Sequence, residues 1–144
     1  MLAVRRKGSL VAVSKLRVFV VEDHPATARG LKMFLELSGY SVQTAGDVRS
    51  ALKLAEKIEF DVLLCDLNLP DGTGWQLMER LCKKGPVSGV AYSAFDEPEH
   101  IARSKAAGFA EHVVKGTTPE TLVAAIDRIA KLKNIGESTP AVAV

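Results

Sequence analysis

Short apolar runs alternate with amphipathic segments along most of this chain, and most of these runs end at a polar residue. Leu16–Val21 and Val62–Cys65 are almost entirely apolar and only four to six residues long, which is too short for a core helix and suits a buried strand. Ser41–Ala45 instead alternates polar and apolar positions, which is typical of an edge strand covered on one face. We predict five strands, at Leu16–Val21, Ser41–Ala45, 61–66, Val87–Tyr92 and Phe109–Val114.

The segments between these strands carry apolar residues at helical spacing, with start and stop signals at their ends. Pro25 suits the first turn of a helix that Gly39 ends, and Asp47 is placed to cap the next helix. Thr118 followed by Pro119 opens the last helix in the same way. We predict helices over residues 25–38, 48–57, 73–83, 96–108 and 119–133.

Strand and helix therefore alternate five times, with short connections. This order is typical of a single doubly wound α/β domain, in which a five-stranded parallel sheet carries helices on both faces through right-handed crossovers. We place the domain at residues 16–133. A basic and flexible extension is expected at residues 1–15, and a disordered tail at residues 134–144.

Composition and charge narrow the class of protein. The 144 residues are 47% hydrophobic and 25% charged, and no apolar run approaches the roughly 18–20 residues that span a bilayer. Residues 1–17 hold five cations and no acid, so the remainder carries 14 basic and 17 acidic residues. We therefore expect no basic face for nucleic acid on the folded part. The start of the chain lacks a signal-peptide core, so we expect a cytoplasmic protein without direct membrane contact.

Polar side chains with related chemistry follow four of the five predicted strands. Glu22 and Asp23 follow the first strand, Asp66 ends the third, Ser93 follows the fourth and Lys115 follows the fifth. Because the carboxyl ends of parallel strands meet at one edge of a sheet, we expect these side chains to converge. Crowded carboxylates repel one another, which either raises a pKa or requires a cation, and hard oxygen ligands suit Mg²⁺. A carboxylate can also act as a nucleophile toward phosphorus and form an aspartyl-phosphate, while Mg²⁺ and lysine neutralise the phosphoryl oxygens.

Four motifs at these strand ends resemble those of the response-regulator receiver domain of bacterial two-component systems. The resemblance covers essentially Leu16–Lys133 and implies a flavodoxin-like strand order of 2-1-3-4-5. It also implies a signalling switch that assists its own phosphorylation and dephosphorylation, not a turnover enzyme, and we expect it to stand alone without an output domain. The motifs are VVEDHP (Val20–Pro25), LLCDLNLPDGTG (Leu63–Gly74), AYSA (Ala91–Ala94) and VVKG (Val113–Gly116).

The resemblance also implies a role for each residue that matches a motif. Asp66 would accept a phosphoryl group from a histidine kinase or a histidine phosphotransfer protein. Ser93 would donate its hydroxyl to a phosphoryl oxygen, and Lys115 would pair with the phosphoryl group. A downstream protein is expected on the face formed by the fourth helix, the fifth strand and the fifth helix. Mg²⁺ would be held by three carboxylates and one backbone carbonyl, those of Glu22, Asp23, Asp66 and Asn68.

The chain departs from the family pattern at two positions. The family usually follows its lysine with a proline in a cis peptide, whereas this chain has Gly116. A cis bond without proline costs about 3–4 kcal/mol, so the sequence leaves the isomer of the Lys115–Gly116 bond open. The position three residues before the lysine is often Tyr or Phe in the family, and here it is His112. We hypothesise that this ionisable ring makes the output sensitive to pH.

Three other functions compete with the phospho-accepting switch. The first alternative is an interaction module that has the same fold but works without phosphorylation. The second is the receiver fragment of a hybrid histidine kinase. The third alternative is a phosphohydrolase of the haloacid-dehalogenase type, which also uses a nucleophilic aspartate at a strand end. Such enzymes usually carry a second aspartate two residues later as general acid. Here that position is Asn68, which cannot donate or take a proton in that way.

Overall fold

Five parallel strands form the central sheet of this protein. The computed structural model describes residues 3–6, 9–12 and 15–137, with side chains over residues 15–132. The sheet has the order β2-β1-β3-β4-β5, which confirms the predicted fold class and strand order. The strands are β1 at Arg17–Val21, β2 at Ser41–Ala45, β3 at Val62–Asp66, β4 at Gly89–Ser93 and β5 at Glu111–Val114.

Five helices connect and follow these strands, and most of them begin at a polar cap. The His24 side chain accepts a hydrogen bond from the Thr27 N–H at the start of the first helix. Asp47 caps the second helix, as the sequence predicts, and Thr73 forms a capping box with Gln76 at the third. The helices are α1 at Pro25–Leu37, α2 at Val48–Ala55, α3 at Gly74–Cys82, α4 at Pro98–Ala107 and α5 at Pro119–Glu137.

The sheet separates two apolar cores, because successive side chains of a strand point to opposite faces. Val18 and Val20 of β1 pack toward α1 and α5, whereas Phe19 and Val21 of the same strand pack toward α2 and α3. β3 is buried along its whole length, in agreement with its continuously apolar sequence. With both faces of β3 covered, its one polar side chain, that of Asp66, lies at the end of the strand.

Several element boundaries differ from those predicted. α4 begins at Pro98 instead of residue 96, because proline suits the first helical position and lacks an N–H for an earlier turn. α5 continues past residue 133 to Glu137, since no glycine or proline interrupts the sequence before Gly136. Residues 138–144 of the predicted tail lie outside the described residues. None of the described helices combines the length and apolarity needed to cross a membrane.

Within the described residues, two short antiparallel hairpins accompany the main sheet, and the sequence patterns did not indicate either of them. Ala3–Arg6 pairs with Ser9–Ala12 inside the segment expected to be flexible, of which residues 1–2, 7–8 and 13–14 lie outside the description. Asn68–Leu69 pairs with Gly72–Thr73 in the loop after β3. This second hairpin shapes the loop that carries the polar residues after Asp66.

Candidate functional site

Three carboxylates meet at the carboxyl edge of the sheet, as the strand-end pattern predicts. Val21 of β1 lies opposite Cys65 of β3, so Glu22 and Asp66 leave adjacent strands at the same level. Carboxylate oxygens of Glu22, Asp23 and Asp66 all lie within 4.8 Å of one another. Glu22 and Asp66 are buried while Asp23 is exposed. The cluster therefore opens to solvent on the side of Asp23.

The ammonium group of Lys115 reaches this cluster from β5, three strands away from β1. Its Nζ lies 2.8 Å from Glu22 Oε1 and 3.0 Å from Asp66 Oδ2, so it bridges two carboxylates. The Lys115 side chain is 28% exposed, whereas those of Glu22 and Asp66 are only 2% and 8% exposed. One cation against three carboxylates leaves a net negative site, which suits a further cation.

The pKa values in the cluster reflect both burial and pairing. Burial raises the pKa of the Glu22 carboxyl, and hydrogen bonds from Lys115 and from the His24 N–H only partly oppose this effect. Burial alone would lower the pKa of Lys115, but its hydrogen bonds to Glu22 and Asp66 and their charges prevail and raise it. Lys115 therefore stays protonated near neutral pH and supplies a permanent positive charge beside Asp66.

The Asp66 carboxylate is oriented from two sides. Its Oδ1 accepts a hydrogen bond of 3.1 Å from the Asn68 N–H, and its Oδ2 accepts the one from Lys115. Asn68 thus touches Asp66 through its backbone, although the contact shown is made by the N–H group. Burial raises the pKa of the adjacent Cys65 thiol, so this side chain remains a neutral part of the core.

Ser93 lies on the strand next to Asp66 and is almost fully buried. Asp66 is opposite Tyr92 in the β3–β4 pairing, which places Ser93 one residue beyond it. Its hydroxyl oxygen accepts a hydrogen bond of 3.1 Å from the Phe95 N–H. Its carbonyl oxygen accepts one of 2.7 Å from the Lys115 N–H, which ties the ends of β4 and β5 together.

The backbone at Gly116 shows which isomer the Lys115–Gly116 peptide bond adopts when glycine replaces the family's proline. No peptide bond among the described residues is cis, so Lys115–Gly116 is trans. Gly116 has φ +98°, a left-handed conformation that side-chain-bearing residues rarely adopt. Glycine thus turns the chain after β5 in a different way from a cis proline, and Lys115 still reaches both carboxylates.

His112 takes part in a continuous chain of hydrogen bonds beside the site. Its Nε2 lies 2.7 Å from the Phe95 carbonyl oxygen and its Nδ1 lies 2.9 Å from Ser104 Oγ. Trp75 Nε1 donates to the same Ser104 oxygen over 3.0 Å. A carbonyl can only accept and an indole N–H can only donate, so the neutral ring carries its proton on Nε2 and accepts from the Ser104 hydroxyl. Each hydrogen bond in the series is therefore donated in the same direction, from Trp75 to Ser104, from Ser104 to His112 and from His112 to the Phe95 carbonyl.

Stacked aromatic rings cover this row of hydrogen bonds on the side of α3 and α4. The His100 ring stacks between Phe95 and Trp75, with centroid distances of 4.9 Å and 5.7 Å. The Arg103 guanidinium lies 4.2 Å from the Trp75 centroid on the same indole. Trp75 thus joins α3 to α4, and His100 of α4 in turn contacts Phe95 in the loop after β4.

Sequence reasoning missed several residues that shape the site. Ser104 was not singled out, because a serine in a helix with a thin apolar stripe is usually solvated, yet it is fully buried. Asp71 follows Pro70 in a segment typical of a turn, yet its carboxylate accepts hydrogen bonds from the backbone N–H groups of Val48 and Arg49. A signal for Asp71 exists only in three dimensions, since α2 lies more than 20 residues away.

The fold and site define a class of protein. A 2-1-3-4-5 parallel sheet whose carboxyl edge presents an acidic cluster and a bridging lysine is that of a signalling receiver. The family model of the response regulator receiver domain matches residues 18–127, and the chain belongs to this family. Receiver domains are signalling domains that bind Mg²⁺ at an acidic pocket and interact with histidine kinases or phosphotransfer proteins.

Similar proteins with curated descriptions include regulators and a sensor kinase. The chain is 33% identical over 118 residues to the nitrate/nitrite response regulator protein NarP of Escherichia coli, which covers 80% of this chain and 55% of that protein. It is 30% identical to the transcriptional regulatory protein MctR of Rhizobium johnstonii over 81% of this chain and 56% of MctR. It is also 36% identical over 57% of its length to 9% of the E. coli sensor histidine kinase RcsC. The chain thus spans about half the length of the regulators it matches.

Solved structures agree with the fold over their full length. A CheY-like response regulator receiver domain protein from Methanospirillum hungatei has a TM-score of 0.81 and 27% identity, covering 85% of this chain and 99% of that one. The chemotaxis response regulator CheY4 of Vibrio cholerae has a TM-score of 0.75 and 29% identity, covering 81% and 99%.

Proposed function

We propose that this receiver takes a phosphoryl group onto Asp66 from the phosphohistidine of a histidine kinase or of a histidine phosphotransfer protein. The observation that supports this most directly is the Lys115 ammonium, which bridges Glu22 and Asp66 inside a cluster of three carboxylates. A nucleophilic carboxylate held next to a fixed positive charge is the arrangement that phosphoryl transfer requires.

In the transfer, an Asp66 carboxylate oxygen forms a bond to phosphorus while the bond from phosphorus to the donor histidine nitrogen breaks. The electron pair of that bond stays with the nitrogen, and the donor is left as an ordinary imidazole after proton exchange with water. Asp66 Oδ1 is held by the Asn68 N–H and Oδ2 by Lys115, so the carboxylate meets the donor in a fixed orientation.

The donor set of the cluster fits Mg²⁺, because hard carboxylate oxygens from separate loops converge within 4.8 Å. Glu22, Asp23 and Asp66 would hold the ion, together with the backbone carbonyl of Asn68. Bound Mg²⁺ would neutralise charge on the phosphoryl oxygens. Lys115 would move from its carboxylate partners toward the phosphoryl group, and Ser93 would donate its hydroxyl to a phosphoryl oxygen.

Phosphorylation would act on a partner through the face of α4, β5 and α5. α4 buries only Ser104 and Ala107, so little apolar area holds it in place. Its neighbouring loop is bonded to Ser93 through the Phe95 N–H. When Ser93 turns its hydroxyl toward a phosphoryl oxygen, this loop and α4 would shift, and a downstream protein would recognise the altered face.

Incubation with acetyl phosphate and Mg²⁺, followed by intact mass measurement, tests the proposal. We expect an added mass of one phosphoryl group in the natural chain and in Asp96→Ala, which removes an exposed acid of the loop after β4. We expect no addition in Asp66→Ala. An equal addition to Asp66→Ala would reject Asp66 as the acceptor.

The same reaction separates the rival functions. No added mass in any variant, with partner binding intact, would favour an interaction module that works without phosphorylation. Continuous release of phosphate at the rate of an enzyme would favour a phosphohydrolase. The structure offers no support for that hydrolase, since Asn68 is an amide at the position where the general acid would stand.

A further inference from the structure

A basic groove lies between α2 and α3, away from the carboxylate cluster. It has a volume of about 550 Å³ and an apolar floor that includes Val48 and Leu52. Its walls carry five cations and two acids. The cations, which define what we call the α2–α3 groove, are Arg49, Lys53, Arg80, Lys83 and Lys84.

The two acids of the groove are already engaged. Glu56 Oε1 lies 3.7 Å from Lys84 Nζ. Both carboxylate oxygens of Asp71 accept backbone hydrogen bonds at the start of α2, of 2.7 Å and 3.0 Å, and these bonds lower the pKa of Asp71. Within the described part of the chain, the other four cations of the groove form no ion pair: Arg49, Lys53, Arg80 and Lys83.

This concentration of positive charge is local and is not required by the fold. Once Arg5, Arg6 and Lys7 are set aside, the remaining chain holds 16 basic and 17 acidic residues, and five of those 16 line this one groove. Arg49 and Lys53 also lie four residues apart on one helix, where like charges repel and destabilise the helix. An anionic partner would relieve this repulsion.

The shape of the positive region selects the kind of partner. All five cations are exposed, and a small ligand is usually enclosed over most of its surface, so an enclosed small-molecule pocket does not fit. Nucleic acid is bound by a basic face, whereas here an acid lies at each end of α2: Asp71 at its start and Glu56 just after its last residue. The distance along α2 from Arg49 to Glu56 is roughly 10 Å at 1.5 Å per residue, which is about two helical turns.

We propose that the α2–α3 groove binds a short acidic segment of a partner protein. Its carboxylates would pair with the four unpaired cations, and an apolar side chain would rest on Leu52. Exposed cations of this kind steer an acidic partner and select it over neutral ones. None of these residues belongs to the carboxylate cluster, so the inference is independent of phosphorylation at Asp66.

Fluorescence anisotropy with labelled ten-residue peptides tests this inference on the full chain. The probes are a glutamate-rich peptide with one leucine, the same peptide with glutamine for every glutamate, a DNA duplex of 20 base pairs and inorganic pyrophosphate as competitor. We expect the acidic peptide to bind at least tenfold more tightly than the neutral peptide at 150 mM salt. Its affinity should fall further as salt screens the charges.

Charge reversal locates the binding site. The double variant K53E/K83E should weaken peptide binding at least tenfold, while K131E, on the exposed side of α5, should leave it within twofold. The Tm of each variant and its phosphorylation by acetyl phosphate report that the fold is kept; should K53E/K83E unfold, K53Q/K83Q replaces it. Equal loss in K131E, equal binding of the neutral peptide, or preferred binding of DNA or pyrophosphate would each overturn the proposal.

Discussion

His112 Nε2 lies 2.7 Å from the carbonyl oxygen of Phe95, so a ring on β5 holds the loop that follows β4. The same loop bonds the Ser93 hydroxyl oxygen through the Phe95 N–H. One residue therefore contacts the proposed phosphoryl-sensing hydroxyl on its amide side and His112 on its carbonyl side. A movement of Ser93 would therefore shift the Phe95 backbone and, through the hydrogen bonds that follow, alter the positions of His112, Ser104 and Trp75.

Replacing Ser104 by alanine should show how much this chain of hydrogen bonds stabilises the protein. Ser104 is fully buried, and its removal leaves both Trp75 Nε1 and His112 Nδ1 without their partner. A buried polar group without a partner costs about 1–3 kcal/mol, and because Trp75 and His112 are half-buried we expect a loss of about 1 kcal/mol in the free energy of unfolding. Urea titration followed by far-UV circular dichroism measures it.

Ser50→Ala, at an exposed position of α2, serves as the matched control and should change the unfolding free energy little. Trp75 fluorescence provides a second readout, because its indole N–H loses its acceptor only in Ser104→Ala. If Ser104→Ala keeps both the unfolding free energy and the natural emission spectrum, the hydrogen bonds do not hold in solution.

Gly116→Ala should both destabilise the chain and slow phosphorylation. A φ of +98° forces a residue with a Cβ into a left-handed conformation, which costs roughly 1–2 kcal/mol. Relaxation of that strain would displace the neighbouring Lys115, so we expect a severalfold lower rate of phosphoryl addition from acetyl phosphate. Unfolding by urea and time-resolved intact mass measure the two effects.

Gly30→Ala is the control for the glycine variants, because Gly30 lies within α1 and an added Cβ would meet nothing within 4 Å. Glycine inside a helix is less stable than alanine by about 0.5–1 kcal/mol, so this variant should be stabilised. An unchanged phosphorylation rate in Gly116→Ala would show that Lys115 does not depend on this turn.

Gly74→Ala should displace the backbone of Asp66, the proposed phosphoacceptor. A Cβ at Gly74 would overlap the backbone oxygen of Asp66 and lie 3.0 Å from Leu67 Cα. Backbone atoms cannot yield as a flexible side chain would, so we expect overpacking of about 1–3 kcal/mol and a shifted Asp66. The checks are the urea midpoint and the phosphorylation rate, and a variant equal to the natural chain in both would contradict this account.

Asp71→Ala should lower stability in a pH-dependent manner. Hydrogen bonds from the Val48 and Arg49 N–H groups lower the pKa of Asp71 below its ordinary value of 3.8. A carboxyl with a lowered pKa stabilises the folded state above the unfolded-state pKa, and this contribution disappears as pH falls through the folded-state value. We therefore expect a lower Tm than the natural chain at pH 7 and a smaller difference near pH 3. A Tm difference that stays constant over this range would reject the charged cap.

The strand-end residues show what a sequence can predict. Glu22, Asp23, Asp66 and Lys115 follow apolar runs whose length marks them as strands, and a parallel sheet must gather such ends on one edge. Fold class, strand order and the meeting of these four residues were therefore predictable from local pattern together with the family motifs. The individual roles proposed for them, and for Ser93 and Asn68, stay predictions.

Other features depended on contacts between segments far apart in the chain. Nothing near Ser104 in sequence indicates that its hydroxyl meets His112 and Trp75, and nothing near Asp71 indicates that it caps α2. The direct hydrogen bond from Lys115 to Glu22 likewise forms only when β5 and β1 lie in one sheet. Periodicity and turn signals are short-range properties of the chain and determined its elements, whereas hydrogen-bond partners and charge balance are set by packing and were decided by the tertiary structure.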